Sequence, residues 1–186
     1  MNLNNKKLAT NKLIENLNEI DIKKISVNEI NFFNNKRILI TGVSGIIGIN
    51  LLFFFNKLNV EKRKNIYVDG TYNTSLFEFV KKYFKKNKKI NFFKLNLNKK
   101  RIKKNKKYDI IFHCAGYGQP SKFLKYKSST YKLNSNTIID LKNNLKKNSK
   151  FIYLSTTEIY SGNEKKCTEE SVGNTGSTHP RSAYID

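Results

Sequence analysis

ILITGVSGIIG, from Ile38 to Gly48, decides how this 186-residue chain folds. A short apolar, β-branched run (Ile38, Leu39, Ile40, Thr41) enters three glycines spaced three apart, Gly42, Gly45 and Gly48. A second apolar run, GINLLFFFNKL, leaves them. The first run has the length of a buried strand; the second is too long for one and reads as a buried helix. Glycines at such a junction have separate tasks. The first permits the tight turn, the second lets the backbone approach a pyrophosphate, and the third lets the helix pack close to the strand. The helix start adds free N–H groups and a partial positive charge. The backbone of Gly42, Gly45, Ile46, Ile47 and Gly48 is therefore expected to cradle a dinucleotide.

The pattern continues outward. NIYVDG reads as a second strand stopped by Gly70, with Asp69 at its end. From there a carboxylate accepts both hydroxyls of an adenosine ribose, which favours NAD over a 2′-phosphorylated cofactor. TSLFEFVKKYFKK places Leu76, Val80, Tyr83 and Phe84 on one helical face, with Thr74 or Ser75 as its cap. INFFKL is a third strand, YDIIFHCAG a fourth stopped by Gly116, and KFIYLS a fifth. One helix, SSTYKLNSNTIIDLKNNLKK, separates the last two. Strands that are apolar on both faces and alternate with helices define an α/β fold: a Rossmann-type, doubly wound parallel sheet with helices on either side. Residues 36–186 form that domain. Residues 1–35, Asn- and Lys-rich with helical spacing at Leu8, Leu13, Ile14 and Leu17, read as a leader helix and linker packing loosely on it.

The formal charge of +22 is the usual footprint of a nucleic-acid binder. Here the lysines spread along the whole chain, and Asn and Ile are enriched with them. All three have A/T-rich codons, so base composition explains the excess, and runs such as KKYFKKNKK are solvated surfaces. A basic surface still attracts phosphorylated small molecules. GIIGINLLFFF is too short to span a membrane and contains Asn50, and the N-terminus lacks the pattern of a signal peptide. Cys114 and Cys167 match no metal spacing and are expected to be reduced thiols of a cytoplasmic protein. Beyond its neighbour Cys114, His113 has no second His or Cys near enough in sequence to suggest a metal site, and it reads as structural.

Four motifs in order carry a resemblance over residues 36–186. TGVSGIIG is similar to the T-G-x-x-G-x-x-G loop of the extended short-chain dehydrogenase/reductases, the NAD-dependent nucleotide-sugar epimerases, dehydratases and decarboxylases. DIIFHCAG resembles their D-x-x-x-H-x-A fourth strand, LSTTEIY their fifth-strand S-[ST]-x-E-V-Y, and PRSAY the opening of their Y-x-x-x-K motif. The resemblance implies NAD as cofactor, a nucleotide-sugar substrate and a homodimeric full-length form. It implies further cofactor contacts at Asn96, Leu97, Cys114, Ala115, Gly116, Thr130 and Tyr184, and substrate contacts at Pro120 and Thr156; Asn134 is implied to be a structural helix residue.

By the same resemblance Tyr184 is the base for a sugar hydroxyl, Thr156 its hydroxyl partner, and Glu158 a further acid–base group. A tyrosine needs a lowered pKa for this work, and a neighbouring lysine supplies it. That lysine falls at position 188, past the final Asp186, so the chain is expected to be truncated and without turnover on its own. Within the family, a hydroxyl followed by Glu (Thr157, Glu158) is similar to UDP-glucuronate decarboxylase and to GDP-mannose 4,6-dehydratase. HCAGYGQPSKFLKYKSSTYKLN aligns without a gap to the decarboxylase, Pro120, Thr130, Lys132 and Asn134 coinciding. That enzyme oxidises C4, loses CO₂ from the resulting β-keto acid and returns the hydride, giving a UDP-pentose. Phe123 for Tyr, Ser161 for Gly and Asn96 for Asp depart from its pattern. Another epimerase or 4,6-dehydratase of the family, or a non-catalytic NAD-binding module, is the alternative.

Overall fold

The computed structural model describes Lys12, Asn16, residues 22–160, residues 167–171 and Ser182. Leu8, Leu13, Ile14, Leu17 and Tyr184 lie outside the described residues. Five strands form one parallel sheet: β1 (Arg37–Thr41), β2 (Tyr67–Tyr72), β3 (Ile90–Lys94), β4 (Tyr108–His113) and β5 (Leu145–Tyr153). Their spatial order is β3-β2-β1-β4-β5, every neighbouring pair parallel. The chain leaves β1 toward β2 and β3, then returns to the other side of β1 for β4 and β5. The strand order therefore reverses between β1 and β4, where open α/β sheets place their ligand crevice.

The six described helices are α1 (Val27–Phe32), α2 (Ile46–Glu61), α3 (Glu78–Phe84), α4 (Pro120–Lys125), α5 (Lys127–Asn134) and α6 (Asn136–Lys142). A single 3₁₀ turn spans Thr157–Tyr160. Alternate β1 side chains point to opposite faces. Ile38 and Ile40 join the core beneath α1, α2 and α3, with Leu52, Phe53, Phe55, Val80 and Phe84. Leu39 joins a smaller core with Ile102, Tyr108, Ile111 and Leu141. Phenylalanines knit the larger core: Phe55 meets Phe33 at 5.2 Å and Phe112 at 5.7 Å between ring centroids, and Phe53 meets Phe84 at 5.2 Å. Truncating a buried ring of this kind costs about 3–5 kcal/mol.

Several expectations are corrected here. Residues 22–35 do not sit loosely on the domain. Ile22 and Ile30 belong to its larger core, and Ser26 caps α1 through a reciprocal capping box with Glu29. β2 does not stop at Gly70 but runs on to Tyr72, because Thr71 pairs with Thr41 of β1 and Tyr72 with Lys94 of β3; Gly70 is itself required there, since a Cβ would lie 2.8 Å from Val43 Cγ1. α3 starts at Glu78 behind Phe77, with no side-chain cap from Thr74 or Ser75; Tyr83 is partly exposed but keeps its ring against Phe53 and Phe84. The single helix expected between β4 and β5 is three, broken at Tyr126 and at Ser135, whose hydroxyl bonds the Tyr131 carbonyl at 2.7 Å. β5 starts five residues early and carries an irregularity: Asn148 has φ 57°, and the pairing with β4 jumps between Tyr108 and Ile110. It is also not buried on both faces; Ile152 and Tyr153 are exposed. No described helix is long and apolar enough to cross a membrane.

Candidate active site

The glycine loop meets the exits of β4 and β5 around one cleft. Gly42 turns the chain out of β1 with φ 71°, a conformation that disfavours any side chain. It also lies so close to the β4 exit that a Cβ there would come within 2.8 Å of Ala115 Cα. A Cβ on Gly48 would run into the Gly42 carbonyl and come within 2.8 Å of Val43 Cα, so α2 packs against its own loop only because Gly48 has none. Gly45 is the N-cap of α2 and brings no side chain to bond the first-turn amides, which remain available to an anion.

The cleft has a volume of about 280 Å³. Residues 45–48, 113–116 and 153–156 line it, with Gly118 and Asn134. Nothing lies within 4 Å of the Cβ positions of Gly116 and Gly118, so the backbone there is open to a ligand. The Asn134 amide nitrogen is buried beside the cleft with no protein acceptor. Bare helix amides, an approachable glycine backbone and a spare buried donor fit a dinucleotide.

Beneath the cleft, Thr41 Oγ1 lies 2.8 Å from His113 Nδ1 and accepts from the amides of Cys114 and Ala115 at 3.1 and 3.2 Å. His113 Nε2 lies 3.0 Å from the Leu133 carbonyl, and its ring stacks on Tyr153 at 5.9 Å. Burial depresses the basicity of His113 below the usual histidine value, although the Leu133 carbonyl opposes this. Burial also pushes the Cys114 thiol up to about 11. Among the described residues no group of three His, Cys, Asp or Glu could hold a metal.

Of the site residues expected from sequence, Gly45, Ile46, Ile47, Gly48, Cys114, Ala115, Gly116 and Thr156 come together on the cleft. Gly42 shapes it from behind. Asp69 is a correction. It is the third residue of β2, level with Leu39, and its carboxylate is turned into the smaller core, 4% exposed. There it accepts from the Tyr108 hydroxyl at 2.8 Å and from Lys106 Nζ at 3.1 Å. Thr130 is a second correction: it is fully buried, and its hydroxyl is spent on the Tyr126 carbonyl at 3.0 Å. Asn96 and Leu97 follow β3 outside the cleft; Asn96 Oδ1 takes the Asn98 amide, and Leu97 packs on the smaller core. Pro120 opens α4, also away from the cleft lining. Glu158 lies in the 3₁₀ turn after Thr156, but its side chain, like Tyr184, is outside the described residues. Sequence reasoning missed Tyr153, Leu154 and Ser155 as lining residues; their place immediately before Thr156 on a strand exit was the available signal.

A parallel sheet with a glycine-lined cleft at its switch point defines a Rossmann-type dinucleotide-binding domain. The chain belongs to the NAD dependent epimerase/dehydratase family, whose sequence profile matches residues 38–185. It is 32% identical over 160 residues to the bifunctional polymyxin resistance protein ArnA of Wigglesworthia glossinidia brevipalpis, a match covering 79% of this chain and 22% of that protein. The fold is similar to the epimerase Mth375 of Methanothermobacter thermautotrophicus, with a TM-score of 0.61 and 18% identity over 83% of this chain and 46% of that one. It is also similar to dTDP-glucose 4,6-dehydratase from Bacillus anthracis, solved in complex with NAD, with a TM-score of 0.53 and 18% identity over 80% and 47% of the two chains. The chain thus spans less than half the length of each of these relatives.

Proposed function

We propose that this chain is the NAD-binding part of a nucleotide-sugar enzyme that works by transient oxidation at C4 of the sugar, as a UDP-glucuronate decarboxylase does. The observation that carries the reading is the convergence of the bare α2 N-terminus, the β4 exit at Cys114–Gly116 and the β5 exit at Thr156 on one cleft. The first supplies amides for the pyrophosphate, and the second supplies open backbone along the dinucleotide. The third carries Thr156 on the cleft lining, and the motif assigns it the hydroxyl of the proton transfer. NAD, when bound, supplies the hydride acceptor and donor. Tyr184 is assigned the proton of the C4 hydroxyl, and Glu158 the acid–base work of the following step, both by motif. The decarboxylase branch rests on the ungapped likeness of residues 113–134 and on the Thr157–Glu158 pair.

Calorimetric titration of the purified chain with NAD tests the cofactor assignment: saturable one-to-one binding supports it, and no heat above dilution refutes it. Saturation-transfer NMR of the NAD-loaded chain with UDP-glucuronate, dTDP-glucose and UDP-N-acetylglucosamine tests the branch. Preferential contact with UDP-glucuronate supports the decarboxylase reading. Preference for either of the other two would move the chain to another branch.

A further inference from the structure

His113, the last residue of β4, is 1% exposed and touches three other elements around the cleft. It leaves β4, bonds β1 through Thr41, bonds α5 through Leu133, and stacks on Tyr153 of β5. Proton bookkeeping fixes its state. Thr41 Oγ1 receives two N–H groups, from Cys114 and Ala115, which occupy its lone pairs. Its one hydrogen must then point at His113 Nδ1. That nitrogen is an acceptor, so the ring proton sits on Nε2, where the Leu133 carbonyl takes it. A second ring proton has no place: Nδ1–H would face a hydroxyl oxygen whose two lone pairs are filled, and one of the two amides would have to let go. The Tyr153 phenol is the ionisable side chain stacked on the ring, and no carboxylate is among its described partners.

The two amides belong to the segment that presses on Gly42, where the Cβ position would come within 2.8 Å of Ala115 Cα. We propose that His113 is a positioning residue for the cleft: as a neutral ring protonated on Nε2, it holds the Cys114–Ala115 wall against the glycine loop, at the spacing that dinucleotide binding requires. The cofactor part of this statement rests on the reading of the cleft given above.

The 186-residue chain is used throughout the test. Imidazole ¹⁵N NMR of the ligand-free protein, with His179→Gln to leave one histidine signal, should show the Nε2–H form unchanged from about pH 8 to about pH 5. The Nδ1–H form, or an ordinary titration in that range, overturns the proposal. Thr41→Val keeps the volume and removes the hydroxyl; it should speed amide exchange at Cys114 and Ala115 and weaken NAD about tenfold, while Thr41→Ser restores both. His113→Phe keeps a ring on Tyr153 but removes both bonds, and should weaken NAD to a similar degree. Unchanged affinity in His113→Phe overturns the proposal even if Thr41→Val is impaired, because the wall then depends on Thr41 alone. Should the parent chain take up no NAD, the proposed function falls, and the tautomer and amide-exchange results alone uphold or overturn the role of His113.

Discussion

The Tyr108 hydroxyl donates to Asp69 at 2.8 Å, across the two strands that flank β1. Lys106, standing 4.8 Å over the Phe93 ring, adds a charged bond to the same carboxylate oxygen. Burial, and next the Asp69 charge, push the Tyr108 phenol far above the usual tyrosine range, so it stays a donor. Tyr108→Phe removes that donor and leaves the buried carboxylate short of a partner, at a cost of about 1–3 kcal/mol in urea unfolding. Its NAD affinity should be unchanged. Asp69→Asn should likewise leave the preference between NAD and NADP where it was. A shift toward NADP of about tenfold would put the carboxylate back on the ribose.

The glycines separate a folding role from a binding role. Gly48→Ala drives a methyl into the Gly42 carbonyl and Val43 Cα, so α2 must lift from β1. A loss of about 1–3 kcal/mol is expected, seen as a lowered melting temperature. Gly45→Ala meets only the Gly42 carbonyl, at 3.3 Å, and faces the cleft. It should melt within a few degrees of the parent but bind NAD more weakly. Equal melting losses in the two variants would contradict this division.

The strand-loop-helix of Ile38 to Glu61 was legible because its signals are local: an apolar run, three glycines, a second apolar run. The β4 exit at His113–Gly116 was legible for the same reason. The place of Asp69 was not. A strand's last residue depends on its pairing, and β2 continues two residues past Gly70 because Thr71 and Tyr72 still pair with Thr41 of β1 and Lys94 of β3. The break at Ser135 also escaped periodicity, since the buried Leu133, Thr137 and Leu141 keep helical spacing across it. At Ser135 the backbone leaves helical geometry, with φ −123° and ψ −76°, and its hydroxyl bonds backward to Tyr131, neither of which a hydropathy pattern records. Thr130 matched its motif yet is buried, because helix phase, rather than residue type, decides which way a hydroxyl points.

Acid should loosen the start of the sheet. Asp109 Oδ2 accepts from the Arg37 amide at 2.7 Å and from Lys146 Nζ at 2.8 Å, joining β4 to β1 and β5. Burial resists its ionisation, but Lys146, the Arg37 amide and the charge of Lys36 outweigh this and hold the carboxyl below the usual range. A folded-state value below the unfolded one means that stability is fully present above about pH 4 and is lost as pH falls through the folded value. Asp109→Asn should therefore lower stability at neutral pH and flatten its decline in acid. Urea midpoints at stepped pH check both, and parallel acid limbs for the two proteins would refute the assignment.

Cys114 reports directly on the cleft. The residue lines the cavity and packs against the larger core, and burial raises its thiol pKa to about 11, so at neutral pH almost none of it is thiolate. Because the thiolate is the reactive form, alkylation by iodoacetamide at neutral pH should be far slower in the folded chain than in urea. The folded rate should keep rising as pH climbs beyond the ordinary cysteine range. A dinucleotide in the cleft would cover the sulfur, so saturating NAD should slow labelling further while leaving the urea-unfolded rate unchanged. Peptide mass mapping separates Cys114 from Cys167. Labelling of native Cys114 at the unfolded rate would mean that the β4 exit stands open to solvent, and protection by NAD at Cys167 alone would place the dinucleotide elsewhere.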